Sequence, residues 1–107
     1  MKYKIEILSE LKNILSKKYK DNISEIRLFG SRANGKANKD SDYDFLIILK
    51  NDYDWKYKNQ ILYTCFDYES KYNIFLDVKI ISINELQNSI RGLNPIYEEA
   101  INNGILL

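Results

Sequence analysis

Helix-type and strand-type segments alternate along the chain, which predicts an α/β fold with a small β-sheet covered by helices. Two observations carry this prediction. Tyr43–Leu49 and residues 74–81 are dense apolar runs of strand length, and the stretches around them place apolar residues at helical spacing. A chain of 107 residues has room for one modest core, so residues 1–107 are read as a single domain.

Ile5, Leu8, Leu11 and Leu15 set the helical spacing of the first element. It ends near Lys17-Lys18-Tyr19-Lys20, where lysines complement the carbonyl end of the helix dipole. Asp21-Asn22 breaks the chain to a strand over residues 25–29, with Ile26 and Leu28 on one face. Residues 30–41 are polar, contain Gly35 and two asparagines, and read as turn and loop. The apolar run Tyr43–Leu49 follows as a buried strand. Asn51-Asp52 restarts the chain as a helix, with Trp55, Ile61, Leu62, Cys65, Phe66 and Tyr72 expected mostly along one side. The strand over 74–81 is interrupted only by Asp77 and Lys79. Ser82-Ile83-Asn84-Glu85 is a capping box that opens a helix, expected to stop near Gly92. Asn94-Pro95 caps a last helix with Glu98 and Glu99 in its first turn, and Gly104 ends it.

Composition removes several classes of function. There is no histidine, which excludes Ser-His and Cys-His catalysis and histidine-ligated metals. A net charge of +1 gives no global footprint for direct nucleic-acid binding. The nine tyrosines accompany abundant Lys, Asn and Ile, so they are read first as composition and packing. No apolar run approaches the roughly 20 residues that span a bilayer. The N-terminus lacks a signal-peptide core, and the single Cys65 cannot form an internal disulfide, so a cytoplasmic location is expected. Cys65 itself is expected to be a small buried core residue.

What remains is carboxylate chemistry. Asp42 and Asp44 open one apolar strand and Asp77 lies inside another. Side chains alternate along a strand, so Asp42 and Asp44 project from the same face, with α-carbons roughly 7 Å apart. Two carboxylates so placed can hold one or two magnesium ions that also bind substrate phosphates. Asp77 joins them if its strand lies alongside, and such a cluster repels itself without a cation. Asp77 can alternatively form an ion pair with Lys79 or Arg27. Upstream, the first strand runs straight into Gly30-Ser31, where glycine permits a tight turn and the Ser31 hydroxyl and following N–H groups can cradle phosphate oxygens. Arg32, Lys36 and Lys39 add positive charge, and Arg32 is the candidate bidentate phosphate clamp. Each part alone is a common turn or solvated pair. Jointly, Gly-Ser, ten residues, then Asp-x-Asp arises by chance in on the order of one in several hundred chains of this length.

Gly30-Ser31, Asp42-Tyr43-Asp44 and the later strand carboxylate Asp77 resemble the DNA polymerase β-like nucleotidyltransferase superfamily. The stretch from Leu28 through Gly35, together with Ser41 to Phe45, is similar to its minimal nucleotidyltransferases, which pair with HEPN-domain partners in toxin–antitoxin modules. The resemblance implies a small mixed β-sheet of that fold. It implies that Gly30, Ser31 and Arg32 bind the triphosphate and that Asp42, Asp44 and Asp77 bind magnesium, in all two ions. Asp77 would also deprotonate or orient the acceptor hydroxyl. The implied reaction moves AMP from ATP to a tyrosine of a cognate HEPN ribonuclease toxin, so that the chain acts as antitoxin. Asn34 stands where the family often has a basic residue, a departure that leaves the acid cluster intact.

The 26 residues after Ile81 are too few to build an acceptor-binding region, so a partner protein or a second copy of the chain is expected to present the acceptor. Leu93, Ile96, Ile105, Leu106 and Leu107 are candidates for that contact, or else they cover the sheet. A different class of function, a binding module that masks its partner without chemistry, stands as the alternative.

Overall fold

The computed structural model describes residues 4–30 and 43–107. In chain order the elements are α1 (Lys4–Tyr19), β1 (Ile23–Phe29), β2 (Tyr43–Leu49), α2 (Trp55–Tyr72), β3 (Leu76–Ser82), α3 (Ile83–Asn88), α4 (Pro95–Asn103) and β4 (Ile105–Leu106), with 3-10 turns at Lys20–Asn22 and Arg91–Leu93. The strands form one sheet in the order β3-β2-β1-β4. β2 and β3 run parallel, joined by the α2 crossover, while β1 is antiparallel to both β2 and β4. The sheet is therefore mixed, as the resemblance implies, and helices cover both of its faces.

Strand alternation divides β2 between two cores. Tyr43, Phe45, Ile47 and Leu49 pack with Leu8, Leu11 and Leu15 of α1 and Ile61, Cys65 and Tyr68 of α2. Leu46 and Ile48 point the other way, with Phe29 and Ile81, against Tyr97 and Ala100 of α4. Burial on both faces is why this strand reads as an unbroken apolar run. No helix among the described residues is long and apolar enough to cross a membrane.

Several boundaries follow from local hydrogen bonds. The second helix begins at Trp55 rather than at Asn51-Asp52, because Asp54 is the N-cap, its carboxylate accepting from Tyr57 N at 2.8 Å. Asp52 instead accepts from Ser82 Oγ at 2.9 Å and from Asn84. That helix ends at Asn73, a non-glycine residue in the left-handed region (φ 51°). The Ser82–Glu85 capping box forms as expected. Its helix stops at Asn88 rather than near Gly92, since Ser89 turns back and its hydroxyl donates to Glu85 O at 2.6 Å. Asn94 and Pro95 open α4 as expected, and Gly104 is its C-cap.

Two differences go beyond boundaries. The sequence reading has three strands. The fourth, β4, is two residues long, pairs Leu106 with Arg27 and Ile105 with Leu28, and is extended by a bond from Leu107 N to Ile26 O. The α2 residues expected along one side are split: Ile61 and Cys65 are buried in the core and Leu62 and Tyr72 pack against it, while Trp55 and Phe66 are largely exposed. Among the apolar residues of the last elements, Ile96, Ile105 and Leu107 pack against the two cores. Leu93 and Leu106 stay exposed.

Candidate active site

The parallel ladder between β2 and β3 sets Asp44 directly beside Asp77, followed by Leu46 beside Lys79 and Ile48 beside Ile81. Residues paired across a ladder share a face, and strand neighbours lie about 4.8 Å apart. Asp44 and Asp77 therefore project side by side, on the face that α4 covers further along the strands. On the other side of Asp44 the antiparallel ladder places Phe29, and after it comes Gly30. The acids stand at the starting edge of β2 and β3, where the chain leaves β1.

Gly30 has φ 72°, in the region that favours glycine. A β-carbon built there would lie 3.0 Å from Asp44 Cγ and nearer still to Asp44 Oδ2. The Asp44 carboxylate is thus folded against the bare α-carbon of Gly30. The sequence motif linked these two residues only through their spacing; the structure joins them by contact.

Asp77 is exposed, with 47% of its side-chain surface accessible. The sequence reading took it as a mid-strand charge whose burial needs a cation. Its position at the open edge of the sheet removes that desolvation cost, and its partner is Lys79. Lys79 Nζ is 3.3 Å and 3.4 Å from the two Asp77 oxygens, two residues on and on the same face. Arg27, the other partner considered for Asp77, is held by Glu25 at 3.0 Å and 3.3 Å. Among the described residues the cation set beside the acids is Lys79, one of the two partners that the sequence offered for Asp77. Its signal was the i, i+2 spacing to Asp77.

Ser31, Arg32 and Asp42, with Asn34, Lys36 and Lys39, lie outside the described residues. Among the described residues no group of three carboxylate, thiol or imidazole ligands is gathered. Asp44 and Asp77 supply two, and the sequence offers Asp42, two positions before Asp44, as a third. Two hard oxygen ligands on one open face, beside a glycine that lets backbone approach, suit magnesium with bound phosphate. The donor set fits the ion.

A family model described as a nucleotidyltransferase domain matches residues 8–106. A Methanocaldococcus jannaschii relative, named "Putative protein adenylyltransferase MJ0141", is 34% identical over 91 residues, covering 78% of this chain and 92% of the relative. A solved structure described as a "putative minimal nucleotidyltransferase" matches with a TM-score of 0.60 at 24% identity, covering 94% of this chain and 92% of the other. A crystal structure of a toxin–antitoxin with AMP-PNP matches with a TM-score of 0.59 at 16% identity, covering 91% and 69%. At these identities the two solved structures establish the fold alone. The family match spans nearly the whole chain, and with a relative above 30% identity it shows that this protein belongs to the nucleotidyltransferase domain family.

Proposed function

We propose that this chain transfers AMP from ATP to a hydroxyl of a partner protein, a tyrosine of a cognate HEPN ribonuclease toxin, and thereby acts as its antitoxin. The observation that carries the reading is the register pair Asp44–Asp77 beside Gly30. Family membership supports a transferase acting on a nucleoside triphosphate. The M. jannaschii relative's name and the toxin–antitoxin match support a protein acceptor.

Asp42, Asp44 and Asp77 would hold two magnesium ions, which supply charge neutralisation at the transferring phosphoryl group and at the leaving pyrophosphate. The remaining work falls to the chain. Gly30 lets the backbone approach the triphosphate, with Ser31 and Arg32 as its further ligands. Asp77, the more exposed of the two described carboxylates, takes the proton of the incoming hydroxyl or orients it. A bond then forms from the acceptor oxygen to the α-phosphorus, the bond from that phosphorus to the bridging oxygen breaks, and pyrophosphate leaves. Positioning and electrostatic complementarity supply most of the rate enhancement in such a transfer.

Intact-mass spectrometry tests this, using ATP, magnesium and the product of the neighbouring gene. One or more AMP units are expected on the partner, and none with the combined Asp42→Asn and Asp44→Asn variant. Equal modification by the variant would refute the site. A stable complex without any mass gain would leave the masking module as the reading.

A further inference from the structure

Among the described residues, no element covers the apolar outer side of α2. Ile61, Cys65 and Tyr68 turn to the core, while Trp55 (69% exposed), Tyr63 (70%) and Phe66 (62%) face away from it. Asn59, Leu62, Tyr63 and Phe66 line a shallow groove of about 320 Å³. Those four residues stand at i, i+3, i+4 and i+7, the spacing of a hole that accepts a knob from a facing helix.

We propose that this face joins two copies of the chain, with their α2 helices packed antiparallel about a two-fold axis. The charges flanking the stripe identify the occupant. Lys56 and Asp67 lie on the same flank, on the side away from the core. Lys56 Nζ reaches over its own Trp55 ring, 5.8 Å from the centroid. The Asp67 carboxylate has no partner among the described residues. In an antiparallel pair, Lys56 of each copy opposes Asp67 of the other, giving two symmetry-related ion pairs. A parallel pair would carry the two Lys56–Asp67 flanks to opposite sides of the seam, where neither ion pair forms.

A two-fold axis also demands one common centre. The midpoint of Trp55 and Phe66, that of Lys56 and Asp67, and the middle of the groove all fall between Gln60 and Tyr63, within one helical turn. An unrelated partner would impose no such reversed order. The acids at the edge of β2 and β3 lie on the opposite face of the sheet, so pairing through α2 leaves them open. The inference thus stands apart from the proposed reaction.

Aromatic side chains bury on the order of 150–250 Å² each when fully covered. Three rings about two-thirds exposed offer roughly 300–500 Å² per copy, below the roughly 800 Å² per partner of a standard interface. A weak, concentration-dependent dimer follows, with dissociation in the micromolar range or above.

Sedimentation equilibrium of the full chain, from low micromolar to near-millimolar concentration, tests the interface, with far-UV circular dichroism to confirm folding. The wild type is expected to show a monomer–dimer equilibrium. Lys56→Asp and Asp67→Lys, each alone, set like charges opposite one another twice and are expected to weaken association about tenfold or more. An equimolar mixture of the two variants restores both opposite-charge pairs and is expected to associate as the wild type does. A wild type that stays monomeric throughout would overturn the proposal and leave the stripe to a different protein. So would a dimer indifferent to the single charge reversals, or a mixture that fails to recover association.

Discussion

The Asp44 carboxylate occupies the space in front of the Gly30 α-carbon, where any side chain on residue 30 would have to stand. The contact joins the end of β1 to the start of β2 and fixes the attitude of a proposed metal ligand. Gly30→Ala acts twice there: it strains a left-handed backbone (φ 72°) and pushes Asp44 aside. A stability loss of roughly 1–3 kcal/mol is expected in urea unfolding. Nucleotidyl transfer should fall about a hundredfold or more, because a displacement on the order of 1 Å is enough to lose that much. A variant with the stability loss but full activity would show that Asp44 does not need this position.

Asp44 and Asp77 set two carboxylates side by side across one ladder, with Lys79 paired to Asp77. Like charges directly opposite across a ladder are destabilising by up to roughly 1 kcal/mol. Asp44→Asn keeps the size of the side chain and removes its charge, and is expected to abolish transfer while shifting stability by no more than about 1 kcal/mol. Magnesium should raise the melting temperature of the wild type and have a smaller effect on Asp44→Asn, since the ion stabilises the form that binds it. Thermal melts with and without magnesium check both statements. A clearly destabilised Asp44→Asn would mean that the carboxylate serves the fold.

Much of this arrangement was legible in the sequence because its signals are local. The Ser82–Glu85 box, the Asn94-Pro95 cap and the two-sided apolar pattern of Tyr43–Leu49 each act within one element. Asp44 and Asp77 were identified from residue type and context, but their adjacency depends on β2 and β3 pairing in parallel, which no local pattern encodes. β4 was missed for the same reason: two residues after Gly104 carry no periodicity, and only their pairing with Arg27 and Leu28 makes them a strand. The two sides of α2 were merged because aromatic residues occur on both. Apolar character alone does not separate a core face from an outer one.

Arg91 closes the far end of β3. Its guanidinium donates to Ile80 O at 2.7 Å, to Tyr53 Oη at 2.8 Å and to Glu85 Oε2 at 3.1 Å. Burial alone would raise the pKa of Glu85, but the Tyr53 hydroxyl, the Ser82 N–H and Arg91 outweigh it and hold the carboxyl below its ordinary value. A carboxyl depressed on folding stabilises the protein above its unfolded pKa, and this stabilisation fades as pH falls through the lower folded value. Glu85→Gln is expected to cost about 1 kcal/mol near pH 7, a charge-assisted bond discounted for partial exposure. The gap to the wild type should close below the ordinary carboxylate pKa of about 4.3. Urea unfolding across that pH range measures it, and a constant difference would refute the linkage.

Cys65 lies in the core between α2 and the sheet, 2% exposed. Burial, with a smaller contribution from the negative charge of Glu69, pushes its thiol up to about 12. The reactive species is the thiolate, so near pH 8 the native thiol is both shielded and protonated. A disulfide reagent added at that pH should leave the native protein unmodified over a period in which the urea-unfolded chain reacts fully. Any slow labelling without denaturant should accelerate with low urea as the core opens. Fast labelling of the native protein would mean that α2 separates from the sheet locally, and would place the weak point of the fold at the α2 layer.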